Sequence, residues 1–212
     1  MRDEGAAAHG EKETARLEAF SDGVFAVAIT LLVLDLVKVP EAPPGEVLSA
    51  ASLAAALGRQ WPGYVAFVLS FLTILVMWVN HHSMFRMIQK TDPALMFANG
   101  ALLLLVTLVP FPTALLAEFL TEPAGPAAAA FYGGLFVLIS LGFITLWWTA
   151  AFRRNLLWPD VTRERLRRRW RANLVGFPLY SLAFLGAFVS PYLTVAICGG
   201  LWLFWAFGTT RL

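Results

Sequence analysis

Three groups of polar residues interrupt otherwise apolar stretches of this 212-residue chain, and they are where chemistry would have to occur. Arg16, Glu18, Ser21 and Asp22 open the run "RLEAFSDGVFAVAITLLVLDL"; Asn80, His81 and His82 lie between Trp78 and Phe85 in "MWVNHHSMF"; Asn99 stands alone, ahead of "PFP" at Pro110 to Pro112. Ionisable groups within a bilayer are costly, so they mark a pathway, a proton relay or a structural pair. A metal site fits poorly: adjacent helical histidines point about 100° apart, and no Asp or Glu three or four residues away completes a ligand set. A hydrogen-bonding network tying the histidine segment to Asp22 is the favoured reading. The alternative is a proton-coupled transporter, or a proton-permeable pathway, using Asp22 with His81 or His82.

No nucleophile elbow, phosphate loop, HExxH motif or paired-carboxylate constellation is present, so no catalytic residue is nominated and no enzyme is expected. The single cysteine, Cys198, lies in an apolar run and offers neither a disulfide framework nor a cysteine metal site within one chain. No cofactor is expected.

The elements that must carry these groups follow from composition. The chain is 58% hydrophobic and 14% charged, with a mean hydropathy of +0.68; soluble domains carry about a quarter charged residues. An all-α integral membrane protein is expected. Its first apolar stretch is too long for a signal-peptide core and lacks a clear cleavage site, so it is expected to remain as a helix. Each crossing needs roughly 20 mostly apolar residues, which divides the chain into a tail, 1–15, and a six-span domain, 16–212. The spans are expected near 16–37, 62–85, 94–119, 127–152, 172–190 and 191–210. The last two are separated at Ser190-Pro191, because a residue preceding proline is pushed out of the helical region.

Of the 16 Lys and Arg residues, 14 fall on one side of this arrangement, and only Lys38 and Arg59 on the other. Positive residues are retained in the cytoplasm, so both termini are expected there. The segment "FRRNLLWPDVTRERLRRRWRANL" is read as a positive-inside anchor with Trp158 and Trp170 at the interface, in preference to a nucleic-acid or lipid-headgroup site. The bilayer is thus an expected partner and nucleic acid is not. The outer loop after span one begins proline-rich and continues as an alanine-rich run suited to a short surface helix.

On a helical wheel, Val27, Leu31 and Leu34 fall within about 60° of one another, with Thr30, Gly23 and Phe20 at the margin, while Ser21 and Asp22 point away. Such a stripe either packs against another helix or lipid, or lines a conduit narrowed by aliphatic rings that expel water.

The string "RLEAFSDGVFAVAITLLVLDL" resembles the signature of the transmembrane protein 175 family of potassium channels. Arg16, Phe20, Ser21 and Asp22 match its Arg-x-x-x-Phe-Ser-Asp motif in order, and the likeness continues through "MWVNHHSMFRMI" and "NGALLLLVTLVPFPTALLAEF". The resemblance implies a prokaryotic single-repeat member: a homotetramer of six-helix subunits in the plasma membrane, with helix one lining a central pore for K+, the permeant ion. It implies constriction rings at Val27, Leu31 and Leu34 and a selectivity layer at Thr30. It further implies a structural network of Arg16, Phe20, Ser21 and Asp22 with Trp78, His81 and Asn99. One position departs from the pattern. Val27 stands where isoleucine or leucine is usual, so its ring is expected to be slightly wider. A non-conducting membrane scaffold is a third possibility, separable by the absence of ion flux.

Overall fold

The computed structural model describes residues 2–36, 47, 49–152 and 156–209. Lys38, Arg153, Arg154, Arg211, the proline-rich start of the outer loop, and Val37 and Thr210 at two expected span ends lie outside the described residues. Within them the chain is helical: α1 Arg2–Leu36, α2 Ala50–Arg59, α3 Trp61–Phe85, α4 Pro93–Thr107, α5 Pro110–Phe119, α6 Gly125–Phe152, α7 Arg163–Gly186 and α8 Pro191–Thr209. Four segments are long and apolar enough to cross a membrane: Lys12–Leu34, Trp61–Phe85, Pro93–Phe119 and Gly125–Phe152. Two shorter apolar helices, Leu174–Gly186 and Pro191–Phe207, follow among the described residues.

The helix ends follow local chemistry. Ser49 caps α2 by accepting from the Ser52 N–H at 3.1 Å, Asp92 caps α4 by accepting from the Leu95 N–H at 2.8 Å, and Thr162 caps α7 by accepting from the Arg165 N–H at 3.2 Å. Proline lacks the N–H a helix interior needs and crowds the preceding turn. Accordingly the third crossing is interrupted at Leu108–Val109, just before Pro110, where the Val109 N–H turns to the Val106 carbonyl at 3.1 Å. Pro191 opens α8 after a four-residue turn. Two stretches run longer as helix than expected: α1 begins at Arg2, within the expected tail, and α7 begins at Arg163, within the basic segment.

Helix α1 packs on α3, α4 and α5; α6 packs on α4, α5, α7 and α8. Trp147, Tyr132, Phe25, Phe85 and Phe136 are the largest side chains fully buried between them. Polar ties cross this core where hydrocarbon offers no water. Ser70 Oγ lies 2.8 Å from Thr113 Oγ1 and 3.0 Å from the Tyr132 hydroxyl, joining α3, α5 and α6. Near the end of α3, the Trp158 N–H donates to the Met87 carbonyl at 3.1 Å and the Gln89 N–H to the Leu156 carbonyl at 2.8 Å. The connection between α6 and α7 is thereby stitched to the one between α3 and α4.

Candidate functional site

Helix α1 carries two faces. Ser21, Phe25, Ala28 and Leu32 recur at spacings of three and four, the period that keeps side chains on one side of a helix, and all four are buried. Phe25 is 1% exposed, with its ring 5.3 Å from the His81 imidazole. The opposite face is Val27, Leu31 and Leu34, exposed at 54%, 40% and 69%. Large aliphatic side chains left open in a membrane bundle meet lipid, another subunit or a conduit, and other helices of this subunit expose such side chains as well.

At the end of α1 where the polar motif stands, the two neighbouring helices supply partners. The Trp78 indole N–H donates to Asp22 Oδ1 at 2.8 Å. The Asn99 amide donates to Ser21 Oγ at 2.9 Å, and His81 Nε2 lies 2.8 Å from Asn99 Oδ1. Ser21 Oγ in turn donates to the Leu17 carbonyl at 2.8 Å. These bonds assign the directions. With the Asn99 amide nitrogen committed to Ser21, its oxygen must accept, so His81 carries its proton on Nε2. Ser21, His81 and Asn99 are fully buried, and His81 is stacked on Phe85 at 4.4 Å between ring centres. The chain from His81 through Asn99 and Ser21 ends on a backbone carbonyl, which cannot pass a proton onward. It holds three helices in register.

The structure therefore brings together Ser21, Asp22, Trp78, His81 and Asn99. It does not bring Arg16 or Phe20 into that cluster: Arg16 is exposed and Phe20 is 62% exposed, both on the line of Val27, Leu31 and Leu34. The physical reason is spacing, because positions 16, 20, 27, 31 and 34 share a helical stripe that positions 21 and 22 do not. Two further ties escaped the sequence reading. His82 Nδ1 lies 2.8 Å from Glu18 Oε1, and Thr14 Oγ1 donates to the Gln89 carbonyl at 3.0 Å. Both His82 and Glu18 stood in the polar clusters already noted, but which residue of one cluster meets which of the other depends on helix rotation.

Thr30 is exposed on the margin of the aliphatic stripe, and its hydroxyl donates to the Val27 carbonyl at 2.9 Å. Its proton is thus committed to the helix, and the oxygen presents lone pairs outward. Beyond Leu34 the stripe meets a partly polar recess of about 440 Å³ that also takes in Arg59, Glu118 and Glu122. Among the described residues no group of three or more His, Cys, Asp and Glu side chains is disposed to hold a metal ion.

The bundle is thus a multi-pass membrane protein built around a first helix with one pinned face and one open face. Residues 16–110 match the family described as endosomal/lysosomal potassium channel TMEM175. A potassium channel of Chamaesiphon minutus is 45% identical over 196 residues, covering 92% of this chain and 95% of that one. A potassium channel of Streptomyces collinus is 47% identical over 201 residues, covering 92% of each. The crystal structure of a lysosomal potassium-selective channel TMEM175 homolog from Chamaesiphon minutus superposes with a TM-score of 0.82 at 44% identity, over 92% of this chain and 97% of that one. The chain belongs to the TMEM175 family, a family of ion channels and not of enzymes.

Proposed function

We propose that the chain conducts potassium ions across a membrane, through a pore walled by the open face of α1. The observation that carries this reading is the exposed stripe of Val27, Leu31 and Leu34, backed by a helix whose other face is anchored by Phe25, Ala28, Leu32 and the Ser21–Asn99 network. A single helix cannot enclose an aqueous path, and one chain offers one such stripe, so the ring requires several copies related by closed cyclic symmetry. Four subunits make that ring, with Val27, Leu31 and Leu34 as successive hydrophobic constrictions that gate by dewetting. Thr30 supplies the polar layer between them, its oxygen oriented to face a cation. Arg16 and Phe20 continue the stripe toward the cytoplasmic mouth.

The membrane is a prokaryotic plasma membrane, with both termini in the cytoplasm. The basic residues Arg86, Lys90 and those of α7 support this orientation, because they gather at the end of the bundle where the motif of α1 stands. K+ is the permeant ion, and no cofactor is required. The test is reconstitution in liposomes with opposed potassium and sodium gradients. A reversal potential near the potassium equilibrium is expected. One at the sodium equilibrium, or no current, would overturn the reading. In the same assay Val27→Ala, Leu31→Ala and Leu34→Ala are each expected to alter conductance or selectivity, and the pore assignment fails if all three leave flux unchanged.

A further inference from the structure

The basic start of α7 lies where the apolar stretch of that helix begins. Between Arg163 and Arg171 the sequence carries six arginines and one glutamate, and this segment is helical and continuous with the apolar residues 174–186. In sequence the mostly apolar stretch between Arg171 and Ser190 runs to 18 residues, about 27 Å as helix and close to the hydrocarbon thickness of about 30 Å, which puts Arg171 at the edge of the hydrocarbon. The antiparallel packing on α6 sets the depth. A Cβ at Gly133 would come within 3.0 Å of the Phe184 Cα, and one at Gly176 within 3.2 Å of Ser140 Oγ, so residues 133 and 140 of α6 lie level with 184 and 176 of α7. Continued at 1.5 Å per residue, this register brings Arg171 level with about Thr145 and Arg167 level with about Thr149. Helix α6 is still apolar there and ends on Trp148 and Phe152, both exposed, at 53% and 75%.

Arg163, Arg167 and Arg171 follow one another at a spacing of four and are all exposed, while Leu166 and Trp170 turn inward against the core. None of these three arginines makes a side-chain hydrogen bond or ion pair among the described residues. Guanidinium groups at the level of exposed aromatic side chains reach toward the headgroup layer along their apolar stems. The anions available in that layer are phosphates, which the planar guanidinium fork binds bidentately. We propose that this line of arginines binds the phosphate headgroup of an anionic phospholipid, whose acyl chains lie along the exposed end of α6 at Trp148 and Phe152. The site has a route to α1. Thr162 caps α7 four residues after Trp158; Trp158 is bonded to Met87, two residues before Gln89; and Gln89 accepts from Thr14 of α1. The proposal rests on the membrane-spanning character of the bundle and not on where its pore runs, so it can fail while conduction stands.

The experiment reconstitutes the full chain in phosphatidylcholine vesicles containing a minor fraction of brominated phosphatidylglycerol, and reads quenching of tryptophan fluorescence. Brominated phosphatidylcholine at the same fraction gives the random-mixing reference. Wild type is expected to enrich the anionic lipid about fivefold or more over that reference, the factor one well-placed charge supplies at a membrane surface. The triple variant Arg163→Gln/Arg167→Gln/Arg171→Gln is expected to return to random mixing, and Arg171→Gln alone to lose most of the enrichment. Conversion of the three to lysine, which keeps the charge, is expected to retain part of it. Millimolar inorganic phosphate should leave the enrichment unchanged. Random mixing by wild type, undiminished enrichment in both glutamine variants, or displacement by inorganic phosphate would each overturn the proposal. Because the wild-type and phosphate arms need no variant, misfolding of the triple variant does not remove the test.

Discussion

On α1, Phe25 and Val27 are two residues apart, yet Phe25 is sealed against the His81 ring and Val27 is more than half exposed. Both are hydrophobic, and helical spacing puts them on different faces without saying which face is buried. The difference lies in what each face has been given to meet. The buried face finds partners within the subunit: Phe25, Ala28 and Leu32 fill the groove formed by α3, α4 and α5, and Ser21 is bonded to Asn99 of α4. The open face is left 40–69% exposed at Leu31, Val27 and Leu34, and the rest of its covering, or its pore, has to come from outside the subunit. A pore-lining helix needs both properties. Without a rigid back its rings would not hold a fixed diameter, and without an unpartnered front it would have no conduit.

Substitutions on the two faces should therefore separate stability from flux. The largest expected effect is at Phe25. Phe25→Ala removes a fully buried ring and should cost about 3–5 kcal/mol, read as a lowered midpoint of thermal unfolding in detergent; a shift no larger than that of Val27→Ala would remove the distinction between the faces. Next comes Asn99→Ala, which strips the partner from the His81 Nε2–H and the donor from Ser21. Buried groups left unsatisfied cost about 1–3 kcal/mol, so the same measurement should show an intermediate loss, and an unchanged midpoint would mean that the network is not holding α1.

Leu31→Ala belongs to the other side of the comparison. Exposed substitutions ordinarily stay within about 0.5 kcal/mol, so the unfolding midpoint of the subunit should barely move while potassium flux in liposomes changes several-fold. A large stability loss with unaltered flux would recast the stripe as a packing surface. The smallest effect is expected at Thr30. Thr30→Val keeps the shape but removes the outward-facing oxygen, and it should leave stability and total conductance near wild type while lowering the potassium-to-sodium permeability ratio. Dual-gradient reversal potentials would reveal this, and an unchanged ratio would exclude Thr30 as the polar layer.

Much of this arrangement was legible in the chain. The apolar stretches near 62–85, 94–119 and 127–152 announce membrane helices by length and hydropathy alone, since a bilayer leaves the backbone no other way to satisfy its hydrogen bonds. Pro191 marks the break expected ahead of the last span, whereas Pro110 interrupts a stretch read as one span and Pro178 lies inside α7 without ending it. The helical wheel divided α1 into a stripe and its reverse, and the motif resemblance named Ser21, Asp22, Trp78, His81 and Asn99 as companions. It also grouped Arg16 and Phe20 with them, although the wheel places those two on the stripe. The motif is continuous in sequence but divided in space, because four residues make slightly more than one turn.

The chain by itself determined that it crosses a membrane as helices and which side chains on each helix share a face, because these depend on hydropathy and a fixed period of rotation. Only the tertiary structure decided which faces meet. That His81 bonds to Asn99, that His82 rather than His81 meets Glu18, and that Gly133 of α6 packs against Phe184 of α7 all depend on the rotation and axial shift of one packed helix against another. These are set by the close approach of small residues and by paired polar groups contributed from distant parts of the chain, and no local pattern records them.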